Sequence, residues 1–488
     1  MSNRVRALRL GLVLLAVAAS APAGEKRYCA TPEEYVRDFE AMLESGSRSE
    51  DSRLKRTPGS AMLDAREVEG LLLLLKSERP EAREFACERL GRLHASGALD
   101  NLIAALSDRD ARVREKAADA LGRIGDARAG EPLLKRFTHP DEKPKGRSTN
   151  ARAAMARSLG RLGEKRAADP IIEALKDRSY WVRLAAIEAA GRLGDARAVD
   201  LLLPMLDAKQ AEVVARAVRS LGRLEARTAY PKVSALLGHK NSAVRSAVIE
   251  ALGRLGDRRA LTPLSRILSG EKDRRVRARA ARALGELGDP AAAPALRAVL
   301  EDKSHEICAA AARSLHQIKD PAGMEALRRL FREHGEYSQS HPVASAIAEM
   351  GDEGFAIIMK SLADPDRQSR RLRSNAALAT GCVGERCLDG TYAQLKSPKR
   401  ELRQAACLAL YNNRSEKSVP VLSAVLRDPR SGVQREAADA LAAIGRPAVP
   451  ELIAAAGRRE LAVVTAAVDV MDKVRDHRLV PVLKRLLD

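Results

Sequence analysis

The 488-residue chain carries 85 Lys and Arg against 65 Asp and Glu, a formal net charge of +20, with 45% hydrophobic and 3% aromatic residues. That is too apolar for a disordered chain and too evenly charged for a polytopic membrane protein, so a folded, soluble protein is expected. One Trp, seven Tyr and five Phe leave little with which to stack nucleobases or wall a large cofactor pocket.

Arg4, Arg6 and Arg9 precede an uncharged run from Leu10 to Ala19, and Ala21-Pro22-Ala23 then places small residues at the two positions a signal peptidase reads. This order predicts a secretory signal peptide over 1–23, cleaved after Ala23, with a site near Ser20 as the alternative. The run is shorter than the roughly 20 apolar residues of a spanning helix. The mature chain is therefore expected to be extracytoplasmic, periplasmic or secreted, and not membrane-spanning. Lys26-Arg27-Tyr28 before Cys29 does not suit a lipoprotein acceptor. All six cysteines outlast cleavage, and an oxidising compartment permits disulfides, with Cys382 and Cys387 as the candidate pair. One such pair without a second pair or a nearby His is no zinc motif.

Segment 24–62 reads as an N-terminal cap and linker. Thr31-Pro32-Glu33-Glu34 has the form of a capping box, and Tyr35, Val36, Phe39, Met42 and Leu43 make one apolar helix face. From Ser45 to Ser60 the polar composition has nothing to bury, which predicts a flexible linker.

From 63 to 488 the chain repeats itself. Strings such as Leu121-Gly122-Arg123-Ile124-Gly125-Asp126 and Leu252-Gly253-Arg254-Leu255-Gly256-Asp257 mark equivalent positions at 91, 122, 160, 191, 222, 253, 285, 316, 348, 381, 411, 442 and 471. The long step from Gly122 to Gly160 marks an insertion at 138–150. A period near 30 means one supersecondary unit used about thirteen times. Within a repeat, Val113, Ala117, Ala120, Leu121 and Ile124 form the stripe of an amphipathic helix, helix B. Pro132-Leu133-Leu134 and Pro170-Ile171-Ile172 open a shorter helix A. Asp126, Asp195, Asp257 and Asp289 follow the glycine that ends helix B, so Gly caps one helix and Asp starts the next. No segment alternates with period two. The expected fold is all-α, a right-handed α-solenoid of about 13 helical hairpins with an armadillo-type superhelix.

The Leu-Gly-Arg-Leu-Gly-Asp strings, the Val-Arg pairs (Val113-Arg114, Val182-Arg183, Val244-Arg245, Val276-Arg277) and the acid six places earlier (Asp108, Asp177, Glu271) resemble HEAT repeats of the short bacterial kind, a type also found in phycobilin lyases. The resemblance covers about 63–488 and implies a superhelical scaffold with helix B on its concave side and an Asp–Arg ladder between repeats. Val214, Cys308 and Ser340 stand where the Arg is missing, so interruptions are expected there.

Turning each residue by about 100° places Arg114 at the border of the core, where a guanidinium needs a fixed acidic or carbonyl partner, and points Arg123 outward. Outward positions of the middle B helices hold Arg157, Arg161, Arg192, Arg216, Arg219, Arg223, Arg254, Arg279 and Arg282, interrupted by Glu188, Glu250 and Glu286. Later repeats replace them with Gln317, Ser345, Glu349, Asn375, Asn412, Glu436 and Asp439. Such a stripe suits docking of an acidic protein or an anionic envelope polymer, and equally suits a solvated face complementing helix C-termini. Trp181, in the turn before the fourth helix B, is either a partner anchor or packed on the adjoining turn. The insertion, with Lys143, Lys145 and Arg147, is a binding loop or a tolerated extension.

No phosphate loop, nucleophile elbow or His-Glu-x-x-His is present in the sequence. His305-Glu306 resembles one His-Glu element of the HEAT-like deoxyhypusine hydroxylases, and His334, Glu336 and His341 have no metal spacing. The expectation is a noncatalytic scaffold without cofactor or small-molecule substrate. A HEAT-like enzyme is the second reading, and nucleic-acid or other polyanion binding by phosphate contacts the third.

Overall fold

The computed structural model describes residues 65–142, 148–333, 341–364, 366 and 370–456, and also Val36, which is helical. The signal segment, Cys29, the linker, Lys143, Lys145, Arg147, Ser340 and the last B helix expected near 471 lie outside these residues. Every described element is an α-helix or a 3-10 turn, and no strand occurs among the described residues.

The second repeat shows how the sequence builds one unit. Asp110 caps helix B, Ala111–Ile124, by accepting from the Arg112 backbone N–H at 2.7 Å. Val113, Ala117, Ala120 and Leu121 are buried on its inner face, and full burial of a side chain such as Leu121 stabilises by roughly 1.5–3 kcal/mol. The helix ends at Gly125, whose φ of 80° lies in the left-handed region that glycine enters without strain. Asp126 then accepts from Arg128 N–H at 2.9 Å. It therefore caps the 3-10 turn Ala127–Ala129, one step before helix A, Gly130–Phe137.

Among the described residues, thirteen A helices run from Ala65–Leu74 to Val449–Ala456, and twelve B helices from Pro80–Arg92 to Ser431–Ile444. Helix A is the shorter member as expected, except in the ninth repeat, where Pro321–Glu333 outruns its partner His341–Ala348. The chain divides into two compact bodies, one ending at Ala292 and holding repeats one to seven, the other starting at Ala293. Within each body the B helices pack side by side as a continuous layer, and each A helix packs on its own B helix.

In repeats one to six the marker position is a glycine, and that glycine is a contact point between B helices. A Cβ on Gly191 would lie 2.7 Å from the Ser220 Cα, and one on Gly222 would lie 2.9 Å from the Ala251 Cα. Only a bare Cα lets neighbouring B helices approach this closely. Ser220 Oγ exploits the approach by donating to the Ile187 carbonyl at 2.7 Å.

The inter-repeat ladder is present with a different register of partners. Arg83 reaches the acid of the following repeat, its Nε and Nη2 donating to Asp108 at 2.7 and 2.8 Å. Arg403 and Asp428 do the same, as do Arg152 and Asp177. The acid six places earlier in the same repeat contributes its backbone carbonyl: Arg114 Nη1 donates to Asp108 O and Arg183 Nη1 to Asp177 O, both at 2.8 Å. At the interruptions Val214 is buried, and the Cys308 thiol takes over the same carbonyl bond, to Asp302 O at 3.1 Å.

The insertion is shorter than 138–150, because helix B of the third repeat already begins at Ser148 and includes Asn150. Its described part folds into a 3-10 turn, Pro140–Glu142. Glu142 is fully buried and receives Arg114 Nε at 2.6 Å and Arg136 Nη2 at 2.8 Å.

Candidate partner-binding face

In repeats one to seven each B helix turns two columns of side chains outward, one residue after and three residues before its marker glycine. The first column reads Arg92, Arg123, Arg161, Arg192, Arg223 and Arg254 over repeats one to six. The second alternates in sign from the second repeat: Asp119, Arg157, Glu188, Arg219, Glu250 and Arg282. These positions are four residues apart on one helix, and so are neighbours.

The alternation has a consequence for the basic stripe. Arg157 pairs with Asp119 at 3.3 Å and Arg192 with Glu188 at 3.0 Å. Arg216 bridges Glu188 at 3.1 Å and Glu212 at 2.9 Å. Arg254 lies 3.7 Å from Glu286, and Arg279 lies 3.9 Å from Glu250 while donating to Ser246 Oγ at 2.6 Å. Arg282 is half-buried on Arg274–Leu287. Arg161, Arg219 and Arg223 reach no carboxylate among the described residues, and neither does Arg123. The basic face therefore narrows to these four.

Arg219 and Arg223 line a cleft of about 420 Å³ shared by the B helices of repeats four to six, together with Glu188, Glu212, Arg216, Ser220 and Asn241. Burial, then the positive charge of Arg192, pulls Arg223 below the ordinary guanidinium range, with Arg254 and Arg219 adding to the effect and Glu188 opposing it. A guanidinium stays charged under such conditions, so the cleft holds positive charge in search of an anion.

Trp181 lies inside helix B of the fourth repeat, Tyr180–Leu193, in its first turn rather than before it. It is 55% exposed, and is the exposed large hydrophobic side chain of the described residues. Tyr180 stands edge-on to it at 5.2 Å and donates its hydroxyl to Glu212 at 3.2 Å. A continuous network, Tyr180–Glu212–Arg216–Glu188–Arg192, contributes its three central members to the cleft lining, while Trp181 remains uncovered.

The expected disulfide is corrected: Cys382 and Cys387 are free thiols. Cys382 is exposed near the end of helix B, Arg370–Val383, whereas Cys387 turns inward and donates to the Gly384 carbonyl at 3.0 Å. His305 and Glu306 open a B helix, His305–Gln317. Among the described residues no group of three or more His, Cys, Asp or Glu is placed to hold a metal ion. Likewise no described helix is long and apolar enough to cross a membrane. His334 and Glu336 lie outside the described residues, as does the side chain of His341.

The acids that neutralise Arg157, Arg192, Arg216 and Arg279 include Asp119, Glu188 and Glu250 of the column three residues before the marker glycine, whereas Arg254 meets Glu286 of the other column. The sequence shows Glu188, Glu250 and Glu286 as interruptions of the stripe, but not which arginine each one pairs with.

The family model for HEAT repeats matches residues 68–148, 145–217, 208–284, 266–341 and 388–468. The chain belongs to the HEAT-repeat family and is an all-α solenoid. Among solved structures it is similar to the phycocyanin lyase complex of CpcE and CpcF from Nostoc, with 25% identity over 47% of this chain and 92% of that one and a TM-score of 0.36. It is also similar to the karyopherin Kap121p bound to the extreme C-terminus of the protein phosphatase Cdc14p, with 12% identity over 100% and 66% of the chains and a TM-score of 0.47. Human deoxyhypusine hydroxylase matches with 22% identity over 52% and 96% and a TM-score of 0.25. No curated protein matches the sequence. A HEAT solenoid is a scaffold-like fold, and it supports a role in protein interaction.

Proposed function

We propose that this protein is an exported, noncatalytic scaffold that holds an acidic protein partner on the B-helix face of its middle repeats. The observation that carries the reading is the pair Arg219 and Arg223, lining one cleft and lacking a carboxylate among the described residues. A cleft with surplus positive charge favours anionic side chains and repels basic ones. Arg123 and Arg161 extend the same column toward the N-terminus. Export rests on the segment 1–23, with its arginines, apolar run and Ala21-Pro22-Ala23.

The test is calorimetric titration of the mature protein with poly-Glu at about 0.15 M ionic strength. Alongside it run R161E/R219E/R223E and the charge-matched control K76E/K135E/K272E, whose lysines are exposed elsewhere on the same body. Wild type and control bind, and the arginine variant, with matching circular dichroism, does not. Equal binding by all three overturns the assignment. Binding of duplex DNA in preference to poly-Glu, falling steeply with salt, replaces a protein partner by a general polyanion. The N-terminal sequence of the protein recovered from its native host begins at Gly24 if the export reading holds.

A further inference from the structure

Trp181, Glu188 and Arg192 lie at i, i+7 and i+11 of one B helix, and so on one stripe. The next B helix carries Glu212, Arg219 and Arg223 at the same three levels, each 31 residues on. The uncovered indole thus stands at the level of the cleft-lining Glu212, beside the cleft rather than in its lining, with the two carboxylate-free arginines seven and eleven residues further along. Along the helix axis the separation is about 10 Å to the level of Arg219 and about 16 Å to that of Arg223. The neighbouring helix adds a sideways step of about 8–10 Å. Extended chain rises about 3.3 Å per residue, so roughly four residues span the first distance and roughly six the second.

We propose that the cleft recognises an extended acidic peptide segment whose apolar side chain packs on Trp181 while two carboxylates, four and six positions away, pair with Arg219 and Arg223. The even spacing follows from the two-residue period of an extended chain, which puts positions 0, 4 and 6 on one face. Each contact has a distinct physical role. The indole is already exposed and is braced by the Tyr180 ring, whose hydroxyl is held by Glu212, so little side-chain freedom is lost when it is covered. The arginines offer planar forks that accept carboxylates in two-point fashion. Glu188 and Glu212, already engaged by Arg192 and Arg216, line the same cleft and oppose basic side chains.

This inference rests on the acidic-partner reading of the same cleft, and its test separates the two. Trp181 is the single tryptophan of the chain, so its emission reports the site directly. The probes are acetyl-Leu-Gly-Ser-Gly-Glu-Ser-Glu-amide and the register-shifted acetyl-Leu-Glu-Ser-Glu-Gly-Ser-Gly-amide, followed by Trp181 fluorescence and, with a fluorescein label, by anisotropy. The first peptide is expected to shift the Trp181 emission and to bind about tenfold or more tighter than the second. Trp181→Ala erases the difference by bringing the first peptide down to the second, and R219E/R223E abolishes binding of both. Equal binding of the two peptides, unchanged in Trp181→Ala but lost in R219E/R223E, overturns the register while leaving the acidic-partner reading intact. Binding that survives R219E/R223E overturns both.

Discussion

Glu142 holds Arg114 from inside the solenoid: the guanidinium Nε donates to the carboxylate at 2.6 Å, and the acid has no accessible surface. In the first repeat the equivalent Arg83 is answered by Asp108. The insertion removes an acid from that place in the third repeat and returns one from its own 3-10 turn. Glu142→Ala leaves two guanidinium groups, those of Arg114 and Arg136, without their carboxylate. Breaking a buried pair from one side costs about 3–5 kcal/mol. The expected outcome is a clear fall in the denaturant midpoint of urea unfolding, and an unchanged midpoint would contradict the buried bridge.

Gly191 sits inside a helix, where replacement by Ala ordinarily stabilises by about 1 kcal/mol. Here the new methyl would stand 2.7 Å from the Ser220 backbone, and overpacking of that kind costs roughly 1–3 kcal/mol. The contact is expected to win, so Gly191→Ala lowers the melting temperature. Gly97→Ala is the comparison, because a Cβ there meets nothing within 4 Å. It is expected to be neutral or slightly stabilising by thermal denaturation.

Acid should weaken the ladder. Burial alone would raise the Asp108 carboxyl, but the hydrogen bond from Arg83 and the Asp110 backbone N–H outweigh it and hold it below the usual carboxylate range. Asp428 has the same balance with Arg403. A depressed folded-state value contributes stability above the unfolded value, about 3.9, and loses it as pH falls through the folded one. Glu115 and Glu436, raised first by burial, act in the opposite sense and lose a destabilising charge in acid. The paired aspartates are expected to dominate. Urea midpoints should therefore drop in the window that opens as pH falls below about 4, and D108N/D428N should flatten that drop. A wild-type midpoint independent of pH in this window would sink the argument.

Thiol chemistry distinguishes the cysteines. Cys87 and Cys407 are buried, and burial pushes both up to about 12, so neither offers thiolate at neutral pH. Cys382 is exposed. Of the described cysteines, Cys382 is expected to be the first alkylated by iodoacetamide in the native protein, followed by peptide mapping. Protection of Cys382 until reductant is added would restore the Cys382–Cys387 disulfide.

The fold was largely legible because its determinants are local. The stripe from Val113 to Ile124, the cap at Gly125 and the acid at Asp126 are all read within one turn or two. Much of what escaped depends on residues about 30 positions apart, where sequence supplies spacing but not contact. Gly191 looked like punctuation, yet its reason is the Ser220 backbone of the next repeat. Arg216 looked like surface charge, yet it is shared by Glu188 and Glu212. Arg183 and Cys308 are chemically unlike, but both satisfy the carbonyl six residues earlier, an equivalence that no residue-type pattern encodes. Trp181 was legible as unusual, but its exposure is a property of the packed helices and not of the local sequence.

The Arg83–Asp108 bond also bears on how such a chain can change length. Repeats joined in this way carry matching halves of a lock, an arginine for the repeat that follows and an acid for the one before, as in Arg83–Asp108, Arg152–Asp177 and Arg403–Asp428. Excising or duplicating a whole unit between equivalent points leaves such halves matched, whereas a cut inside a unit strands a guanidinium against apolar helices. Gene duplication in whole-repeat steps is therefore the mutational path this architecture tolerates, and the third repeat, where Glu142 stands in for the missing acid, shows the repair required when the step is not whole.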